Sequence, residues 1–324
     1  MIDLCVIGAG PAGLMAAEVA ADAGFSVVIV DAKPSFGRKL LMAGKSGLNL
    51  TKDEPFRDFT AAFDQAESWL LPMLTKFGNA EVCTWAQALG QEVFTGSSGR
   101  VFPKTMKASP LLRAWLLRLA DKGVQFKTRW KWDGWKGDDL QFQTPDGPKR
   151  ITARACILAL GGASWPKLGS DGTWNTILSD AGITIAPFKP ANMGFTVNWS
   201  SYMKPYFGAP VKTVQLTAGN ATQRADFIIS SKGIEGSGIY AVSRNMREGA
   251  KLVVDLLPDT DIAILQDRIN RLPKKSSGSS ILRKALRLDP AKATLFNEFA
   301  RNTPLSEIAR TAKALPIEHA GPRP

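Results

Sequence analysis

The sequence predicts an α/β protein: an open parallel sheet flanked by helices, carrying an inserted domain of antiparallel strands followed by helices. Three observations predict it. An apolar run of β-type residues at 2–7 enters a glycine-rich turn at 8–13, and residues 14–23, rich in Ala, Leu and Met, follow at once. Near Pro187 and Pro190 the texture changes, and 194–255 shows short β-type runs. The chain has 324 residues, 44% hydrophobic and 22% charged, which suits about two domains and a sizeable core rather than a disordered tail or a disulfide scaffold.

Taken in order, the first element is the strand at 2–7, and Gly8-Ala9-Gly10-Pro11-Ala12-Gly13 follows it. Gly24 ends the helix, residues 26–30 read as a second buried strand, and Asp31 closes it. Strand, glycine loop, helix, strand, acid is the order of a Rossmann-like βαβ dinucleotide-binding unit. Gly8 permits the tight turn, Gly10 lets backbone approach a pyrophosphate, and Gly13 lets the helix pack on the strand. The helix start at Pro11 and Ala12 offers unpaired N–H groups and a positive dipole end to phosphates. Asp31, 18 residues after Gly13, stands where a carboxylate accepts from a ribose, with Ala32 beside it; an acid there favours FAD or NAD over NADP.

Residues 37–51 hold glycines, serines and the cations Arg38, Lys39 and Lys45, with little periodicity, and read as a loop for close contact with an anionic ligand. This stretch, Gly37-Arg38-Lys39 through Ser46-Gly47-Leu48-Asn49-Leu50-Thr51, resembles a segment of a family of bacterial flavoproteins called aminoacetone oxidase-like or NAD(P)/FAD-dependent oxidoreductases. The resemblance continues at 155–172, which includes Gly161-Gly162, Ser164-Trp165-Pro166 and Gly169-Ser170-Asp171-Gly172, and takes in 2–31 and 181–197. It implies FAD as cofactor, with 37–51 along the pyrophosphate and flavin, Gly161 and Gly162 where the chain returns to the FAD, and the backbone at Trp130 bordering the adenine. It also implies a loop at 230–238 facing the flavin or its substrate channel. Many family members carry Gly-Arg-Cys-Asn where this chain has Ser46-Gly47-Leu48-Asn49, so no role of that cysteine transfers. Members run on past the region where this chain stops, at Pro324, into a segment that closes over the flavin; the expectation is a shortened member or a fragment.

Between these stretches, apolar residues at three- and four-residue steps over 56–78 predict one amphipathic helix, 81–89 a shorter one and 106–120 a third. Residues 124–135 and 140–142 suggest an antiparallel meander turning at Gly134. In the second half, 194–199, 211–217, 225–230 and 252–255 read as strands, and 261–269, 281–288, 291–300 and 306–314 as helices, with 274–280 a basic connector. The expected domains are 1–190, FAD-binding; 191–257, an inserted, mainly antiparallel β substrate domain; and 258–324, the helical part of the insert with the start of a return to the first domain.

Cys5, Cys83 and Cys156 are scattered and read as buried thiols; with a single histidine, His319, no metal site is indicated. No apolar run is long enough to span a membrane, and the reading is a cytoplasmic protein with no membrane partner. The 41 Lys and Arg against 29 Asp and Glu give a net charge of +12, yet the cations occur in runs of only two, such as Lys274-Lys275, which argues against nucleic acid as a partner. The tryptophans read as packing residues, with Trp165 and Trp174 as candidates for lining a cofactor cleft, and Glu235 reads as a capping or surface carboxylate rather than a base. No residue is assigned as catalytic. The expected cofactor set is Gly8, Gly10, Pro11, Ala12, Gly13, Asp31, Ala32, Arg38, Lys39, Ser46, Asn49, Trp130, Gly161 and Gly162. The expected function is FAD-dependent hydride transfer to or from a small molecule, an amine, ketone or reduced nicotinamide, with NAD(P)H as a candidate partner. The alternative is an inactive or incomplete relative that binds FAD or an adenine nucleotide weakly.

Overall fold

A computed structural model describes residues 2–273 and 275–323; Lys274 of the basic pair, with Met1 and Pro324, lies outside the described residues. The chain forms two compact units, 1–188 and 189–324.

In the first unit, β1 (Ile2–Ile7), α1 (Pro11–Asp22) and β2 (Val27–Asp31) build the opening βαβ crossover. Then come α2 (Arg38–Ala43), β3 (Thr51–Lys52), α3 (Phe56–Ala61), α4 (Glu67–Leu74), α5 (Asn79–Ala88), β4 (Val93–Thr95), β5 (Arg100–Pro103), α6 (Ala108–Asp121) and β6 (Gln125–Thr128). A meander of β7 (Lys131–Lys136), β8 (Asp139–Thr144) and β9 (Gly147–Ile151) leads to β10 (Ala153–Leu158) and α7 (Trp174–Asp180). The parallel sheet runs β10-β1-β2-β6. Period-two alternation gives it two buried faces. Leu4, Val6, Val27 and Ile29 pack with Leu14, Leu111, Trp115 and Leu119 of the helices. Their alternates Cys5, Ile7, Val28 and Val30 pack with Trp132, Leu140, Phe142 and Leu178 of the meander and α7. Cys5 and Cys156 are in-register neighbours on β1 and β10.

A buried carboxylate fastens the helical side. Glu18, on α1 and 6% exposed, accepts from Trp115 Nε1 at 2.6 Å, Trp85 Nε1 at 3.2 Å and Arg118 at 2.9 Å. The charge is tolerated because the indole donors and the guanidinium replace water.

Four expectations for this unit are corrected. Residues 56–78 are two helices, because Asp64 takes a left-handed φ of 52° between them. The 37–51 stretch is not all loop: Gly37, at φ 62°, starts α2. β6 leaves the meander and pairs in parallel with β2. Gly134 is not a turn but lies at a bulge within β7, at φ 100°, where the register with β8 shifts.

The second unit is an antiparallel sheet, β11-β14-β13-β12-β15-β16, with helices packed on it. Its elements are β11 (Phe195–Thr196), β12 (Pro210–Ala218), β13 (Ala221–Ser230), β14 (Gly233–Glu235), α8 (Ser237–Arg247), β15 (Leu252–Asp255), α9 (Ile262–Asn270), α10 (Gly278–Lys284), α11 (Pro290–Ala300), α12 (Ile308–Lys313) and β16 (Leu315–Ile317). The glycine-rich 230–238 stretch, read as a loop, is the end of β13, a turn, β14 and the start of α8. One core joins Phe195, Leu216, Phe227 and Ile229 of the sheet to Ile239, Leu265, Leu282, Leu295 and Ile308 of the helices. Lys292, buried among these, donates to the Leu256 carbonyl at 2.8 Å and the Thr213 carbonyl at 3.3 Å. His319 Nδ1 accepts the Gly321 N–H at 3.2 Å, and its ring meets Phe195 edge-on, 4.8 Å between centroids.

Two outcomes follow from these contacts. Glu18→Ala leaves three donors without their acceptor and should cost about 2 to 4 kcal/mol in chemical denaturation followed by tryptophan fluorescence. Burial holds the His319 imidazole below its ordinary value of 6.5, so the unfolded chain protonates first. The stability it contributes is present above pH 6.5 and is lost as pH falls from there through the depressed folded value. His319→Gln should remove that part of the pH dependence in melts recorded between pH 5 and 8.

Candidate cofactor site

The site grows from the way β1 hands over to α1. Gly8 has φ 106°, and a Cβ on it would lie 2.2 Å from the Ala159 carbonyl oxygen. A Cβ on Gly13 would lie 1.8 Å from the Gly8 carbonyl oxygen. Both positions exclude a side chain because helix, strand and return loop meet backbone to backbone there. Gly10 differs, since a Cβ there meets nothing within 4 Å. The hydrogen of this glycine faces open space at the start of α1, whose Leu14 N–H is the donor that bonds back to Gly10.

Asp31 fixes the loop from the side. Its Oδ2 accepts the Ala9 N–H at 2.9 Å and its Oδ1 the Lys33 N–H at 2.8 Å. An ionised carboxylate has about four acceptor positions, so two such bonds leave capacity for hydroxyl donors. Two cavities meet at Gly8, Asp31, Leu160, Gly169 and Ser170. One, of about 290 Å³, is bordered by Asp31, Ala32, Trp130, Trp132, Asp171 and Trp174. The other, of about 370 Å³, is bordered by Gly10, Pro11, Ala12, Arg38, Lys39 and Gly161.

Each cavity has one wall residue with an unpaired buried nitrogen. Arg38 gives one guanidinium N–H to Ser35 Oγ at 3.1 Å, but its Nε is buried without a partner, as is Trp132 Nε1. Buried donors without a partner are uncommon; a third, Arg247 Nε, lies in the second unit. Lys39 is committed to the chain: Nζ donates to the Gly162 carbonyl at 3.1 Å and the Ser170 carbonyl at 3.0 Å, and burial holds it below the usual lysine range. Asp171 lies below the usual carboxylate range because the Thr173 N–H, at 3.0 Å, and hydroxyl, at 2.7 Å, donate to it.

The structure therefore brings Gly8, Gly10, Pro11, Ala12, Asp31, Ala32, Arg38, Lys39, Trp130 and Gly161 to the cavity walls. Gly13 lies beneath the loop as packing. Ser46 and Asn49 are exposed after α2, and neither borders either cavity; Gly162 contributes only its carbonyl to Lys39. Trp174 borders the first cavity and donates to the Gly161 carbonyl at 3.0 Å, whereas Trp165, 66% exposed, borders neither. Sequence reading missed Trp132 and Ser170 as wall residues. Ser170 lay within a quoted glycine-rich stretch, while Trp132 carried no signal beyond strand alternation. Glu235 is ion-paired with Arg323 rather than free. Among the described residues no group of His, Cys, Asp and Glu could hold a metal, and no helix is long and apolar enough to cross a membrane.

The chain belongs to the HI0933-like protein Rossmann domain family, whose sequence pattern matches residues 2–287. The family is one of FAD-dependent oxidoreductases, and the cofactor is FAD. A 3-dehydro-bile acid delta(4,6)-reductase of Clostridium scindens is 27% identical over 280 residues, 82% of this chain and 67% of that protein. A ribosomal RNA dihydrouridine synthase of Escherichia coli is 24% identical over 279 residues, 85% of this chain and 68% of that one. Among solved structures, a 3-ketosteroid-delta4-(5alpha)-dehydrogenase of Rhodococcus jostii aligns at 12% identity over 78% of this chain and 65% of that one, with a TM-score of 0.47. The chain thus spans about two thirds of the length of the curated relatives it matches.

The walls fit the group. An N-terminus of a 12-residue helix with the Arg38 guanidinium in the same wall suits a pyrophosphate, and a carboxylate with spare lone pairs suits a ribose. The two inner glycines separate the structural from the binding requirement. Gly13→Ala should cost about 3 kcal/mol or more in thermal or chemical denaturation, because the added carbon collides with backbone. Gly10→Ala should melt like the parent yet bind FAD at least about tenfold more weakly by titration calorimetry, a loss of about 1.4 kcal/mol.

Proposed function

We propose, from membership in this family, that the chain is an FAD-dependent reductase of a carbon–carbon double bond conjugated to a carbonyl. The observation that carries the cofactor part is the Asp31 carboxylate, locked onto the Ala9 and Lys33 amides at the junction of two cavities walled by the first turn of α1, Arg38 and Trp130. In this reading Asp31, Ala32 and Trp130 hold the adenosine half. The first turn of α1 at Gly10, Pro11 and Ala12, with Arg38, holds the pyrophosphate, and Gly161 borders it from the return loop. Lys39 acts indirectly, since its ammonium joins the Gly162 and Ser170 carbonyls and so shapes the wall. Bound there, FAD supplies two-electron hydride chemistry, which the side chains present do not offer.

The reaction class is supported by the names of the two relatives. One reduces the delta(4,6) positions of a 3-dehydro bile acid, and the other makes dihydrouridine in ribosomal RNA. Steroid and pyrimidine share little shape, but both names describe adding two hydrogens across a double bond that a carbonyl polarises. Oxidation of a small amine, to which the resemblance to aminoacetone oxidase-like flavoproteins points, is the competing reading.

The test is an anaerobic absorption experiment on the purified chain with added FAD. Flavin bands that bleach with a reduced nicotinamide and return on adding a conjugated steroid enone or a uridine-containing RNA support the proposal. Bleaching by amines alone, with no reoxidation by any enone, would overturn it in favour of amine oxidation. No FAD uptake at all would overturn the cofactor assignment for this chain. Asp31→Ala should raise the FAD dissociation constant about tenfold or more, by titration calorimetry.

A further inference from the structure

The excess positive charge is not shared evenly. Residues 1–188 carry 21 Lys and Arg against 18 Asp and Glu, whereas 189–324 carry 20 against 11, so +9 of the +12 lies in the second unit. Within it, the stretch from Arg268 to Arg287 contains seven cations and no carboxylate. It runs from the end of α9 to just past α10.

The fold turns four of these cations outward. Ile281, Leu282, Ala285, Leu286 and Leu288 are buried, and the positions between them, Arg283, Lys284 and Arg287, are exposed, as is Lys275. Arg287 adopts a left-handed φ of 55°. That conformation costs a non-glycine residue of the order of 1 kcal/mol, and it lets Leu286 and Leu288 both enter the core while the guanidinium stays in water. The carboxylates flanking the stretch are engaged: Asp267 pairs with Arg271 at 2.6 Å, and Asp289 caps α11 through the Lys292 N–H at 2.9 Å. Among the described residues, Lys275, Arg283, Lys284 and Arg287 form no ion pair with a carboxylate.

We propose that this face, Lys275 with Arg283, Lys284 and Arg287, binds the phosphodiester backbone of a nucleic acid. Unpaired cations on an exposed surface, two of them forked guanidiniums, suit the charge of successive phosphates. A lipid surface is the poorer fit, because interfacial helices need apolar side chains to enter the acyl boundary. From Gln266 to Thr303 no large apolar side chain of the described residues is exposed. The proposal goes beyond the reductase reading and needs neither cofactor nor turnover.

The test is fluorescence anisotropy of the full chain with a labelled RNA hairpin, a DNA duplex of equal length and, by co-sedimentation, phosphatidylglycerol–phosphatidylcholine vesicles. Four phosphate contacts predict that the logarithm of the association constant falls with that of salt at a slope of about −3 to −4. Binding of RNA alone, DNA alone or both at that slope supports the proposal and tells which nucleic acid is preferred. Arg283→Gln with Lys284→Gln should flatten the slope by about 1 to 2 and weaken binding about tenfold or more at 0.1 M salt. Arg287→Gly should weaken binding several-fold without lowering the melting temperature, since glycine relieves the left-handed strain. No binding at 50 mM salt, unchanged binding and slope in these variants, or capture by vesicles with none by RNA or DNA would each overturn it.

Discussion

Two backbone segments touch in the first unit where no side chain fits, and the cofactor site depends on that contact. Gly13 sits on the Gly8 carbonyl, and Gly8 sits under the Ala159 carbonyl, so α1, β1 and the return loop after β10 are held at van der Waals distance. Asp31 then ties the end of β2 to the same loop through Ala9. With those contacts in place the first turn of α1 has one direction to face, and both cavities open along it. Nothing in the walls is unusual chemistry; the precision comes from where backbone is allowed to be.

The opposite end of that arrangement is fixed by different physics. Glu18, two turns further along α1, is held by two indoles and a guanidinium from α5 and α6. Close packing thus sets the N-terminal end of α1 and a polar network its middle, while the sheet between the helices and the meander buries apolar side chains on both faces. Hydrogen bonds give this helix its orientation, whereas burial gives it stability.

Much of this was legible in the sequence because the signals were local. The glycine spacing, the alternating strands at β1 and β2 and the acid at Asp31 each describe a constraint that acts within about 30 residues. What failed was decided at longer range. β6 carries the same alternation as a meander strand, and only the vacant edge of β2 draws it into the parallel sheet. Asp64 breaks a regular apolar period by a backbone conformation that periodicity does not encode. α8 was missed because its start, Ser237-Gly238, looks like the end of a loop; its buried Ile239, Val242 and Met246 match the sheet beneath, a fit that needs the sheet first. In the site, Asn49 and Ser46 were placed by resemblance to a motif, and the local turn after α2 puts them outside the two cavities.

The pairing of β1 with β10 sets Cys5 beside Cys156, and this has a chemical consequence. Burial pushes the Cys5 thiol up to about 12 and the Cys156 thiol up to about 11, so at neutral pH both are protonated. Thiolates are the nucleophiles that attack peroxides and disulfides. Two sulfurs in the central sheet, Cys5 fully buried and Cys156 half-buried, are thereby held in the thiol form, which reacts slowly with peroxide or an alkylating agent.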